Sequence, residues 1–157
     1  MTHLQDQLAL AESLCQKKGL RLTSGRRRVL ELILSSPGGV KAYDLLDQLT
    51  ADNPSARPPT IYRAIDFLLA NRLIHRIESL NAYVGCSCPD HHQAFQLLIC
   101  RACGQVAELH EQPIDESLNL AAKQAGFIIE KKHIEIHGLC RNCVTHPSSL
   151  QQESCDA

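Results

Sequence analysis

Two pairs of cysteines with the same spacing, Cys100-Arg-Ala-Cys103 and Cys140-Arg-Asn-Cys143, carry the clearest chemistry in this chain. Two residues between thiolates let both sulfurs point at one ion from a tight turn, and Gly104 directly after the first pair suits such a turn. The two pairs together supply four sulfurs in tetrahedral array, the coordination of a structural zinc site. The 36 residues between them leave room for a strand, a helix and a second strand. Neither pair is expected to open a helix after a buried strand, which argues against a thioredoxin-like redox role. Four thiolates leave zinc no open position, so this site is expected to hold structure and perform no reaction.

A second set of possible ligands lies upstream in the stretch "YVGCSCPDHH", residues 83–92, where Cys86, Cys88, His91 and His92 fall within seven residues. The four-cysteine set needs no help, so this cluster is either a separate metal site or a linker with adventitious affinity. No nucleophile–base set, phosphate-binding loop or HExxH is present, and an enzyme with a small organic substrate is not expected.

The composition agrees with a metal protein. Of 157 residues, 44% are hydrophobic and 21% charged, ordinary proportions for a globular chain. No apolar run approaches the ~20 residues that span a bilayer, so no membrane partner is expected. "MTHLQDQLAL" lacks the basic-then-apolar order of a signal peptide, which places the protein in the cytoplasm. That compartment keeps thiols reduced, so eight cysteines point to metal thiolates over disulfides. Aromatics make up only 4%, with no Trp, and a bound metal would help stabilise so small a core. The formal net charge of -1 is unevenly spread: residues 1–83 carry +3 and the remainder -4. A polyanion partner would therefore meet the N-terminal part.

The elements that must position these residues follow from apolar spacing. Leu4, Leu8, Ala11, Leu14 and Cys15 recur at helical intervals, and Gly19 can end that helix. Thr23 is a candidate N-cap for "SGRRRVLELILSS", with Val29, Leu30, Ile33 and Leu34 on one face. "PGG" breaks the chain, and "KAYDLLDQLT" follows with Ala42, Leu45, Leu46 and Leu49 as a stripe. In "TIYRAIDFLLANR", Ile61, Ala64, Ile65, Leu68 and Leu69 turn inward and Tyr62, Arg63 and Asp66 outward; Pro59 as first helical residue and Thr60 as cap both fit. "LIHRIES-LN-AYVGC" predicts a hairpin turning between Leu80 and Asn81. Four short helices and a hairpin describe a winged helix-turn-helix.

Beyond Ala94, "AFQLLIC" and "GQVAELH" predict strands joined across "RACG", and "PIDESLNLAAKQAG" a helix ended by Gly126. "FIIEKKHIEIHG" predicts a returning strand, with Ile134 and Ile136 on one face and His133, Glu135 and His137 on the other. The fold class expected is α+β. Residues 1–84 form a winged-helix DNA-binding domain with hinge, 85–146 a small α/β dimerisation and metal-binding domain, and 147–157 a flexible tail containing Cys155. The second domain is small enough that a homodimer is expected. Cys15, on an apolar helix face, is expected in the core.

The chain resembles the ferric uptake regulator family of bacterial metal-responsive repressors, most closely its zinc-sensing branch. The residues that carry this are "RLTSGRRRVL" (21–30), "AYDLLD" (42–47), "PPTIYRAIDFL" (58–68), "IHRIES" (74–79), "ICRACG" (99–104) and "HGLCRNC" (137–143), which follow family order over nearly the whole chain. The resemblance implies a homodimer that binds double-stranded operator DNA in the bacterial cytoplasm and represses zinc uptake genes. It implies Zn²⁺ at two sites per subunit, one structural and one regulatory. The regulatory ligands it implies are His75, Cys86, His92 and Glu108, with His91 and Cys88 as alternates. A hairpin turning at residues 80 and 81 would set His75 directly opposite Cys86, with Cβ atoms ~4.5–5.5 Å apart. One thiolate, two imidazoles and a carboxylate suit zinc, and the thiolate argues against manganese and, less firmly, iron. His110, His133 and His137 could belong to a further family-type site, although surface histidines account for them more simply.

On the reading helix, Arg63 is the candidate for a base contact, since arginine pairs bidentately with guanine. Tyr43 matches a family position that also approaches the groove. Arg26, Arg27 and Arg28 are candidates for phosphate contacts. The alternatives are a sibling sensor of iron, manganese or peroxide and, in another class, a zinc storage or delivery protein.

Overall fold

Thr23 starts a helix by a mechanism legible at the residue level. In the computed structural model its backbone is extended and its hydroxyl accepts from the Arg26 N–H at 3.4 Å, capping α2 (Ser24–Leu34). The preceding helix, α1 (Leu4–Lys17), closes with the Leu20 N–H donating to the Cys15 carbonyl at 2.8 Å. Gly19 takes the left-handed conformation that this closure requires, with φ 67°. The structure describes residues 4–90 and 94–145, and the chain divides into two compact units, residues 1–91 and 92–157. His91, His92 and the tail with Cys155 lie outside the described residues.

In the first unit, a two-residue strand β1 (Val40–Lys41) runs into α3 (Ala42–Asp52). α4 (Pro58–Ala70) begins with both prolines, Pro58 and Pro59, in its first turn and Arg57 as its cap residue. Proline costs least there, because the first helical N–H groups have no partner to lose. α4 ends without glycine: Arg72 itself takes φ 57°, and the Leu73 N–H reaches the Leu68 carbonyl at 2.9 Å. The wing strands β2 (Ile74–Ile77) and β3 (Ala82–Gly85) follow, and the sheet order is β1-β3-β2, all antiparallel. Leu8, Ala11 and Cys15 of α1 pack with Val29, Leu30 and Ile33 of α2, Leu45 of α3 and Ile61, Ile65 and Leu68 of α4 around one core. Cys15 is therefore a core residue, and burial raises its thiol pKa.

The second unit is thinner. β4 (Gln96–Cys100) and β5 (Val106–Leu109) form a hairpin across the first cysteine pair; α5 (Gln112–Gln124) follows, and β6 (Glu135–Gly138) returns parallel to β4. The sheet order is β5-β4-β6. The long strand expected over residues 127–138 is strand only from Glu135: its ladder with β4 runs from Leu97↔Glu135 to Cys100↔Gly138, preceded by one bond from the Leu97 N–H to the Ile134 carbonyl at 2.9 Å. Lys132, within the remainder, bonds instead to Asp115 and Asn119 of α5. A short helix, α6 (Arg141–Thr145), closes the described chain. No helix among the described residues is long and apolar enough to cross a membrane.

Candidate metal centres and nucleic-acid interface

The two cysteine pairs converge. Cys100 ends β4, a turn carries the chain to Cys103, and Gly104, with φ 73°, returns its N–H to the Cys100 carbonyl at 2.9 Å. Cys140 follows β6 and leads into α6, which carries Cys143. The second pair thus opens a short helix after a strand, though not after the buried strand of a thioredoxin-like motif. That strand is largely exposed, and the two pairs meet each other, so zinc coordination remains the better account. All four sulfurs lie within 4.8 Å of one another, with Cys103 and Cys140 at 3.7 Å. A zinc ion with Zn–S bonds of ~2.3 Å needs sulfurs about 3.8 Å apart at the corners of a tetrahedron. The donors fit the ion.

Local electrostatics favour one thiolate before any metal arrives. The Cys140 N–H donates to the Cys100 sulfur at 3.3 Å, and this bond, helped by the Cys103 amide, lowers the Cys100 pKa to about 6. Cys143 moves the other way, to about 12, through its hydrogen bond with the Cys140 thiol, burial, and then its bonds with Cys103 and Cys100. Crowding a second thiolate beside the first is unfavourable until a cation neutralises both. Metal binding therefore releases protons, and zinc affinity falls as pH falls.

The wing carries the second group. His75 on β2 and Cys86 just past β3 are 8% and 7% exposed, and their ligand atoms lie within 4.8 Å of each other. They are not directly opposite. The hairpin pairs Ile77 with Ala82 across the loop Glu78–Asn81, so His75 faces Val84, and the Cys86 N–H donates to Leu73 at 3.0 Å. The turn is centred one residue earlier than expected, because Asn81 adopts φ 47° and accepts from Arg76 at 3.0 Å. Shifting the register by two residues keeps every side chain on its face. His75 and Cys86 become diagonal neighbours on one face, and still converge. Cys88 is half-buried, 3.9 Å from the Ser87 hydroxyl.

Glu108 lies on β5 opposite Leu97, its side chain 6% exposed and 3.3 Å from the His110 Nε2. Glu135 and His137 form a looser pair on β6 at 3.8 Å, and His133 is exposed.

The arginine run holds α2 to its neighbours. Arg27 pairs with Glu12 of α1 at 2.9 Å, and Arg28 with Asp52 of α3 at 2.7 Å and with Glu31 at 3.0 Å. The Arg26 guanidinium lies 3.7 Å from the Phe67 ring of α4. Each can meet a phosphate only by sharing or exchanging that contact. Arg63 differs: it is exposed on α4 and lines a cleft of about 470 Å³ with Arg26, Thr23 and Thr60. Tyr43 on α3 and Tyr62 on α4 are exposed aromatics on the same unit. The Arg57 guanidinium bonds the Pro54 and Ala56 carbonyls beside the start of α4.

A model of the ferric uptake regulator family matches residues 17–137. The zinc uptake regulation protein of Escherichia coli (strain K12) is 40% identical over 157 residues, spanning 98% of this chain and 91% of that protein. The solved structure of a zinc uptake regulator complexed with zinc and DNA matches with a TM-score of 0.86 at 40% identity, over 94% of this chain and 99% of its own. The crystal structure of holo XcZur matches at 0.81 and 40%, over 88% and 96%. With its motifs in order, its two cysteine pairs gathered at one point and such relatives along nearly its full length, this chain belongs to the ferric uptake regulator family.

Proposed function

We propose that this protein is a zinc-responsive transcriptional repressor that binds palindromic operator DNA as a homodimer and controls zinc uptake genes in the bacterial cytoplasm. The observation that carries this reading is the buried His75–Cys86 pair on the wing, a borderline-soft donor set separate from the four-cysteine centre. Zinc uptake regulators with 40% identity and a zinc- and DNA-bound relative support it. Glu108 and His92 complete the regulatory set, with His91 and Cys88 as alternates, while Cys100, Cys103, Cys140 and Cys143 hold structural zinc. Zinc supplies a fixed tetrahedral junction. This chain's residues supply the rest: His75 and Cys86 tie the wing to that junction, and the helices packed on the wing present α4.

A dimer reads a palindrome only when both reading helices match the half-site spacing. Zinc bound preferentially to the matching arrangement raises the competent fraction, and DNA raises zinc affinity by the same factor. The test is a mobility shift on duplexes selected from a random palindromic pool, across buffered free Zn²⁺ and, separately, Fe²⁺, with metal content measured per subunit. Zinc-dependent binding with two zinc ions per subunit is expected. Iron-dependent binding at lower free metal would assign the protein to a sibling sensor, and zinc binding without any DNA shift to storage or delivery.

Arg63 is the proposed base reader, with Tyr43 approaching the groove beside it. Arg63→Ala should weaken specific binding by ~1–3 kcal/mol, about one base contact, and relax choice at one base pair. Titration with the selected duplex and single-base variants reads this. Unchanged affinity and sequence preference would remove Arg63 from the assignment. Of Arg26, Arg27 and Arg28, one is proposed to exchange its internal partner for a phosphate, adding ~0.9 to the salt slope.

Support for the homodimer comes from apolar surface. α5 buries none of its residues, and Phe127 and Ile128 after it are 67% and 86% exposed. A patch of that kind marks an interaction surface. Ile128→Glu should shift the protein toward monomer in sedimentation equilibrium while retaining structural zinc. A dimer constant unchanged within threefold would place the interface elsewhere.

A further inference from the structure

Gly85 ends β3 one residue before Cys86, and space rather than backbone conformation requires glycine there. Its φ is not in the left-handed region, and glycine in a strand is otherwise a weak choice. A Cβ at Gly85 would lie 2.3 Å from Leu34 Cδ2 and 3.4 Å from Leu34 Cγ. Leu34 is the last residue of α2, and its branched end occupies the notch that the missing side chain leaves. Cys86 also borders, with Leu10 and Ala11 of α1 and Leu30 and Leu34 of α2, a void of only about 30 Å³. The Cys86 N–H is fixed to Leu73 at 3.0 Å. The backbone at Cys86 is thus fixed to the strand ladder, with Gly85 facing Leu34 of α2 and the Cys86 thiol turned to the face that carries His75.

α2 is in turn the element to which the other helices are tied. Arg27 links it to α1, Arg28 to α3, and Arg26 to α4. A contiguous chain therefore runs from Cys86 through Gly85 and Leu34 into α2, and from α2 through Arg26 to the helix bearing Arg63. Coupling between sites travels through packed, rigid connections of this kind.

We infer that Gly85 is a positioning residue for the regulatory metal: the Leu34–Gly85 contact sets the Cys86 thiol beside His75 and connects metal occupancy to α2. This rests on the reading of His75 and Cys86 as zinc ligands.

Gly85→Val tests it, because valine favours an extended strand and any loss then reflects crowding against Leu34. On the full-length dimer, zinc affinity at the second site, measured by chelator competition, is expected to fall about tenfold or more. The thiolate-to-metal absorption of Co²⁺ at that site should weaken, while the four-cysteine site keeps its affinity. Adding Leu34→Ala should restore affinity to within about threefold of wild type, the signature of direct coupling in a mutant cycle. If Gly85→Val does not fold, Gly85→Ala is measured by the same criteria and is expected to show a smaller loss, reversed by the same Leu34 substitution. Wild-type protein with only one zinc per subunit would overturn the regulatory-site reading and this inference together. Wild type with two zinc ions and valine or alanine variants of equal affinity would overturn this inference alone, as would a loss that Leu34→Ala does not repair.

Discussion

Cys143→Ser is expected to unfold the second unit, not merely to weaken a metal site. The buried apolar residues described there are Leu97, Ile99, Cys100 and Cys143, so half of that small core is zinc-ligand sulfur. α5 adds no buried residue to it. Structural zinc contributes ~10–16 kcal/mol at neutral pH in the best-measured small sites. Whole domains are stable by only ~5–15 kcal/mol, so a unit with this core depends on its metal. Replacing one sulfur with a hydroxyl removes a soft anionic ligand, and the three remaining cysteines, once the ion is lost, revert to neutral thiols that no longer tie β4 to α6. The expected result is loss of the second unit's unfolding transition by circular dichroism, release of the structural zinc to a colorimetric chelator, and loss of dimer. The first unit, with its separate core from Leu8 to Tyr83, should keep its helical signal. A variant that retained the wild-type unfolding midpoint would show that the four sulfurs are not structural.

What was legible in the sequence was whatever local chemistry decides. Thr23, Gly19 and Gly126 mark helix ends because a cap hydroxyl or a left-handed residue is needed wherever such an end forms. The inward faces of α1, α2 and α4 followed from apolar spacing, and Leu8, Ile33, Ile65 and Leu68 are fully buried. The four-cysteine centre was legible because its spacing is itself the geometry. Features decided by distant partners were not. Residues 127–133 have strand-like composition, but β4 begins only at Gln96, and its ladder with β6 starts at Leu97↔Glu135, one residue past the Ile134 carbonyl that Leu97 bonds. The end of α4 was hidden because Arg72 occupies a conformation usually given to glycine. The wing register turned on Asn81, whose left-handed backbone moved the turn by one residue. The partners of the arginine run were hidden as well, because nothing in a linear string shows that Glu12, Asp52 and Phe67 fold back onto it.

Cys86→Ser is expected to separate regulation from folding. Serine is nearly isosteric, and the first unit's core does not include Cys86, so thermal unfolding should change little. Zinc-dependent DNA binding should be lost. The apparent affinity of a protein for DNA is its intrinsic affinity scaled by the fraction of molecules in the competent arrangement. If zinc takes that fraction from ~1% to near unity, removing the thiolate weakens binding ~100-fold at saturating zinc and leaves the zinc-free affinity unchanged. That pattern differs from the expected effect of Arg63→Ala, which weakens specific binding at every zinc level. Metal analysis should show one zinc per subunit, held by Cys100, Cys103, Cys140 and Cys143. Cys88→Ser is the matched control, since Cys88 is half-buried two residues away and is the alternate thiol. If Cys88→Ser loses zinc response and Cys86→Ser keeps it, the ligand is Cys88, and the His75 pairing on the wing face is incidental. If Cys86→Ser instead unfolds while Cys143→Ser remains folded but insensitive to zinc, the structural and regulatory roles are interchanged. Either result would also relocate the mechanical link, because Leu34 rests against Gly85, the residue before Cys86.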